Sequence, residues 1–167
     1  RFTPVDAVFD SIAHEVLANE FNRAPASTND ENIARLSRLA LRSGNPVLRA
    51  RADLWRIRAN QINATPDSCI TTLERLRSAL PAEYDYDRAC LTYQLAGNHD
   101  RIGNYFVTYQ LLQEAIPVFE KYGDDYFLGN AHLLMGLNYF NISEPDLAIE
   151  EIRLADSNYR KAGYPSN

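Results

Sequence analysis

The chain has 167 residues, 46% of them hydrophobic, and a net charge of −5 from 17 basic and 22 acidic side chains. That length and apolar content suit one globular domain with its own core and exclude a disordered segment. No apolar run approaches the roughly 18 residues that would span a bilayer, and the 2 cysteines are too few for a four-cysteine zinc site.

The first helix is predicted over residues 4–21. Thr3 reads as its N-cap and Pro4 as its first helical residue. Val5, Val8, Phe9, Ile12, Val16 and Leu17 recur at three- and four-residue spacing, one apolar stripe. Residues 22–29 (NRAPASTN) are loop by composition. A second helix follows over 30–43, with Ile33, Leu36, Leu39 and Ala40 on its apolar side and Arg35, Arg38 and Arg42 on another. Gly44 ends it as a left-handed cap. Asn45 and Pro46 then start a third helix, 46–62, which carries Trp55, the only tryptophan. Thr65 is the expected cap of a fourth, 66–80, with Ile70, Leu73, Leu76 and Leu80 in its stripe and Pro81 as its stop.

Further helices are expected over 85–97, 102–122, 125–141 and 144–162. Pro117 removes one backbone bond and predicts a kink over 113–117. Ser143 with Asp146 three residues on resembles a capping box for the last helix. No period-two run of four residues competes, so the chain reads as all-α, four helical hairpins in one domain spanning 1–167.

The stretch 129–162, GNAHLLMGLNYFNISEPDLAIEEIRLADSNYRKA, organises this reading. Small residues fall where two paired helices must touch: Gly136, then Ala148 and Ala155, with the ring of Tyr139 beside the crossing. A weaker copy, 89–122, places Ala96 and Ala115 40 residues before Gly136 and Ala155. Upstream of Leu80 no repeat aligns. The pattern resembles the tetratricopeptide repeat, with His132 standing where that family has tryptophan. The resemblance implies an α-α superhelix that serves as a protein-interaction scaffold, as in repeat-bearing bacterial regulators and sensor proteins. It implies a concave face lined by Asn130, Leu133, Leu137 and Phe140 in the better repeat, and by Cys90, Tyr93, Gly97 and Asp100 in the weaker one. The lysine and asparagine clamp used by chaperone-tail-binding members is not present at those positions. The implied partner is instead a protein or peptide, an amphipathic helix or an adjacent segment of a longer parent chain, with self-association as a variant.

Charge is unevenly spread. Between Arg35 and Arg58 lie seven arginines and one acid, Asp53, while acids gather at Glu83, Asp85, Asp87, Asp124, Asp125, Glu144, Asp146, Glu150 and Glu151. The arginines read as a solvated helix face; the alternative is an anion-binding stripe for nucleic acid, with Trp55 the one aromatic there to stack on a base. Acids at helix starts need no role beyond favouring the dipole.

Nothing points to catalysis. His14, His99 and His132 are isolated from other metal ligands, His132 taking a packing position and His99-Asp100 a turn. No glycine-rich phosphate loop and no nucleophile elbow is present. The sequence calls for no cofactor and no metal. Asn63 and Asn141 match the glycosylation pattern, with turn chemistry as their better-founded role. Cys69 and Cys90 sit on consecutive helices, compatible with two buried thiols or with a disulfide. The chain is expected to be part of a longer regulatory protein, and the compartment, periplasm or cytoplasm, is left open.

Overall fold

The computed structural model describes residues 2–60 and 64–164. Eight α-helices follow one another: α1 (Ala7–Phe21), α2 (Asp30–Ser43), α3 (Pro46–Ala59), α4 (Pro66–Ala79), α5 (Asp85–Arg101), α6 (Tyr105–Tyr122), α7 (Asp125–Asn141) and α8 (Pro145–Ala162), with a short 3-10 turn at Ala26–Asn29 before α2. Among the described residues there is no strand. Each helix packs mainly on its neighbours in sequence, and α3, α5 and α7 also touch one another side by side. The result is an α-α superhelix of four hairpins in which α3, α5 and α7 share one face.

Helix ends follow local chemistry, with four corrections to the sequence reading. α1 starts at Ala7, not residue 4, because Asp6 rather than Thr3 is its cap: Asp6 accepts from the Phe9 amide at 2.8 Å. The anionic carboxylate suits the helix N-terminus better than a hydroxyl, and the Thr3 carbonyl is taken by Arg51. α5 runs on through Gly97, His99 and Asp100 to Arg101, so His99-Asp100 is helical and not a turn. α6 correspondingly starts three residues late and continues through Pro117 as one helix. Ser143 does not cap α8; it sits at φ 64° in the connecting turn, where Gly103 has φ 76° between α5 and α6. The turn demands a left-handed residue, which leaves Ser143 in no position to cap. Asn45 does cap α3 as expected, accepting from the amides of Val47 and Leu48. Thr65 occupies the cap position of α4 without a side-chain bond, and Gly44 ends α2 at φ 64°. Ile62 and Asn63 lie outside the described residues.

The C-terminal half repeats in register. α5 and α6 have 17 and 18 residues, α7 and α8 the same, and the step from Asp85 to Asp125 is 40. The hairpin is thus longer than the 34-residue stretch read from sequence, because α7 starts at Asp125, ahead of Gly129. The small residues do what their spacing implies. Ala96, Ala115, Ala148 and Ala155 are buried. A methyl group on Gly136 would stand 2.9 Å from Ile152 Cγ1 and 3.1 Å from the Ala148 carbonyl oxygen. Gly129 is tighter still: a Cβ there would meet the Tyr159 ring at 2.6 Å. Tyr139 is half-buried, its ring edge-on to Tyr109 at 6.1 Å.

Structure also reveals a register upstream of Leu80. Ala50, Leu73, Leu76 and Leu80 stand 39 residues before Ala89, Leu112, Ala115 and Phe119, and all eight are buried. The sequence hides this because Leu76 and Leu80 give way to Ala115 and Phe119, which preserves burial but not identity; only Ala50 and Leu73 keep their type at Ala89 and Leu112. One apolar cluster accordingly runs from Val47 in α3 to Met135 in α7, and a second, smaller one joins α1, α2 and the other side of α3. Phe2, Val5 and Leu17 pack against both.

Candidate binding surfaces

α3 turns a charged face inward. Arg51, Trp55 and Arg58 stand at i, i+4 and i+7, one side of the helix. Arg51 is 2% exposed and donates from Nε to Asp87 Oδ1 at 2.6 Å and from Nη2 to Asp87 Oδ2 at 3.1 Å. Its Nη2 also reaches the Thr3 carbonyl at 2.8 Å, and Nη1 reaches Asp10 at 3.3 Å. One guanidinium therefore ties α5, α1 and the segment ahead of α1 together. Burial raises the Asp87 carboxyl pKa above its ordinary value, against the pull of Arg51. Arg58 pairs with Glu20 at the end of α1 and lies over the rings of Trp55 and Phe127, 5.7 and 5.3 Å from their centroids. Burial is the largest influence and opposes the charge of Arg58, but Glu20 together with the Tyr93 and Tyr126 hydroxyls outweighs it and holds its pKa above the usual value.

α1 therefore lies across the concave side. Its last residue, Phe21, completes the closure, edge-on to Tyr126 at 5.5 Å and to Tyr164 at 5.2 Å. Two cavities remain beneath it. The smaller, about 200 Å³, is polar and lined by Glu20, Arg58, Tyr93, Gln94, Gly97, Tyr126 and Asn130. Tyr159 donates to Asn130 Oδ1 at 2.8 Å, while Asn130 Nδ2 and Arg58 Nε are buried without an acceptor. Burial, reinforced by Glu20, pushes the Tyr126 hydroxyl up to about 12. The larger cavity, about 770 Å³, lies between α1 and the ends of α5, α7 and α8, with Phe2, Trp55, Tyr86 and Tyr126 among its aromatic walls and Asp10, Asp124 and Asp125 among its acids.

The groove residues expected from sequence separate into two groups. Tyr93 and Asn130, with Gly97, line the polar cavity; Cys90 is buried behind them. Leu133, Leu137 and Phe140 instead stand on the surface, 37%, 47% and 68% exposed. They are not core residues between the helices of the hairpin. Sequence reasoning missed Glu20, Arg51, Trp55 and Arg58 as lining residues, although the spacing of the last three on α3 was readable.

The arginine run is not one exposed stripe. Arg35, Arg38, Arg42 and Arg49 are exposed, but Arg51 and Arg58 are committed internally and Arg56 pairs with Asp53 on its own helix. His132 is mostly covered, its Nδ1 2.7 Å from Glu151 Oε2 across the α7–α8 crossing. Cys69 and Cys90 are free, buried thiols, and burial pushes Cys90 up. Among the described residues no group of three or more His, Cys, Asp or Glu side chains could hold a metal ion. No helix there is long and apolar enough to cross a membrane. No protein-family model matches the chain, and no curated protein or solved structure compared with it does so.

Proposed function

We propose that this chain is a protein-binding module of tetratricopeptide-repeat type, the partner-binding segment of a larger regulatory protein. One observation carries the reading. Leu133, Leu137 and Phe140 form an i, i+4, i+7 row that is exposed on a helix where Phe127, Leu128, Ala131 and Met135 are buried and Leu134 is partly buried. A continuous exposed apolar row on a small domain is where another helix docks. The repeat supports it from a second side. Leu112 of α6 is fully buried in the core it shares with α7, whereas Ile152, 40 residues later on α8, is 43% exposed. Each hairpin thus offers its successor an apolar surface, and the last one offers it outward. The occupant that fits is an amphipathic helix, from a partner, from an adjacent segment of the parent chain or from a second copy. The committed arginines of α3 give the nucleic-acid alternative no support.

The test is Leu137→Ser combined with Phe140→Ser. The fold should survive, with melting close to that of the unsubstituted protein, while self-association in sedimentation or capture of the parent protein's partner is lost. Collapse of cooperative melting would make these residues core and remove the basis of the proposal.

A further inference from the structure

We infer that the larger cavity binds a small organic amine, a compact molecule with an apolar or aromatic body and one ammonium group. This goes beyond the docking strip on α7 and does not depend on it, since the cavity lies beneath α1. Its volume of about 770 Å³ falls in the range typical of metabolite-sized ligands, roughly 300–1,000 Å³. Exposed Pro4, Ala7, His14 and Lys161 stand at its rim.

The walls carry the two features that recognise a cation. Phe21, Trp55, Tyr86 and Tyr126 supply ring faces or edges, and an ammonium over a desolvated ring is bound through the ring's quadrupole. The charge balance of the lining is negative. Three of the charged side chains that line it are acids, Asp10, Asp124 and Asp125, against Arg51 and Lys161. Lys161 is the single cation set against Asp124 and Asp125. Asp124 is engaged, accepting from the Tyr86 hydroxyl at 2.6 Å and capping α7 through the Phe127 amide. Asp125 has no side-chain partner among the described residues, which leaves it for a ligand ammonium. That excess favours a cationic over an anionic ligand. Phe21, packed edge-on against Tyr126 and Tyr164, walls one side of the cavity. The indole N–H of Trp55 is buried without an acceptor, so a hydroxyl or carbonyl oxygen on the ligand would have a donor in the wall.

Trp55 is the only tryptophan in the chain and stands in the wall of this cavity, so its emission responds to a ligand there. The experiment is a fluorescence titration of the protein with 2-phenylethylamine, beside phenylacetate and an acetylated, amidated lysine tripeptide. The amine should shift Trp55 emission saturably and phenylacetate should not. Asp125→Asn should weaken the amine about tenfold, the loss of a charge-assisted contact. Lys161→Gln, at an exposed rim position that folding does not need, should tighten it. Absence of a saturable shift, an equal response to phenylacetate, or unchanged affinity in both folded variants overturns the inference. Tighter binding of the lysine peptide than of the free amine overturns the small-molecule assignment.

Discussion

The first and last hairpins solve the same packing problem with different chemistry. In the last, α7 and α8 approach closely over Gly129 and Gly136, and the contact is made by small residues, Tyr159 and Ile152. In the first, no glycine stands at the crossing; α1 and α2 meet through larger side chains, Phe9, Ile12, Val16, Ile33 and Leu36. α1 is further anchored by ions, Asp10 to Arg51 and Glu20 to Arg58. The difference teaches where each half is vulnerable. A hairpin closed by backbone proximity tolerates no added volume. One anchored by buried charges tolerates no lost partner, because the remaining charge is stranded in a medium that solvates it poorly.

The largest expected effect comes from the charged anchor. Arg51→Met should cost about 3–5 kcal/mol in denaturant unfolding, since Asp87 is left buried and uncompensated. Arg51→Met combined with Asp87→Leu should recover most of that loss. A single-variant cost below about 1 kcal/mol would show that α1 is held by its apolar stripe alone, and the contrast between the halves would fail. Next is the close crossing. Gly136→Leu should destabilise by more than the roughly 1–3 kcal/mol of ordinary overpacking, because the helices must also separate. Gly129→Ala should fall within that 1–3 kcal/mol range even after the gain in helix propensity of about 1 kcal/mol. Thermal melting that barely moves for either would mean the crossing relaxes cheaply.

A smaller, opposite effect is expected in the turn between α7 and α8. Ser143→Gly should stabilise by about 0.5–1 kcal/mol, because glycine adopts the left-handed conformation without a Cβ clash. The same change read as destabilising would mean the Ser143 side chain contributes something its φ does not reveal. Smaller again is a pH effect that links α5 to α6. Asp85 accepts from Lys121 at 2.5 Å and from the Tyr122 hydroxyl at 2.6 Å, and these hold its carboxyl below the ordinary value. A depressed carboxyl pKa contributes stability above its unfolded value and loses it as pH falls through the folded one, below about pH 4. Asp85→Asn should flatten that acid limb, and high salt should mute the difference, since the pair is open to solvent. The thiols provide the last check: Cys69 and Cys90 should resist labelling in the native state, react fully in denaturant, and show no mass change on reduction.

Most of the architecture was legible in the sequence because it is local. Helix identity follows from three- and four-residue spacing of apolar residues, and Asn45, Pro46 and Gly44 mark ends through their own backbone preferences. Gly136, Ala148 and Ala155 disclosed the C-terminal crossing because only small side chains fit there. Ser143 was misread because its type suits a cap, while its place in a turn of fixed length decided otherwise. Thr3 was misread for a related reason: Asp6, the better cap, lies three residues on, and Arg51 competes for the Thr3 carbonyl.

What the sequence by itself determined is therefore the number and kind of helices and the hairpin pairing of the C-terminal half; it did not fix every buried side, since Val8, read into the apolar stripe of α1, is 53% exposed. Tertiary structure alone decided that Arg51 and Arg58 leave the basic run and turn inward. An arginine is placed in the interior only by carboxylates that meet it there, and Asp87 and Glu20 lie 36 and 38 residues away in sequence. It alone decided that Phe21 reaches Tyr126 and Tyr164 to enclose the concave face, because that contact sums the small rotations of every hairpin between them. The cavities exist by virtue of that closure, and no single stretch of the chain encodes it.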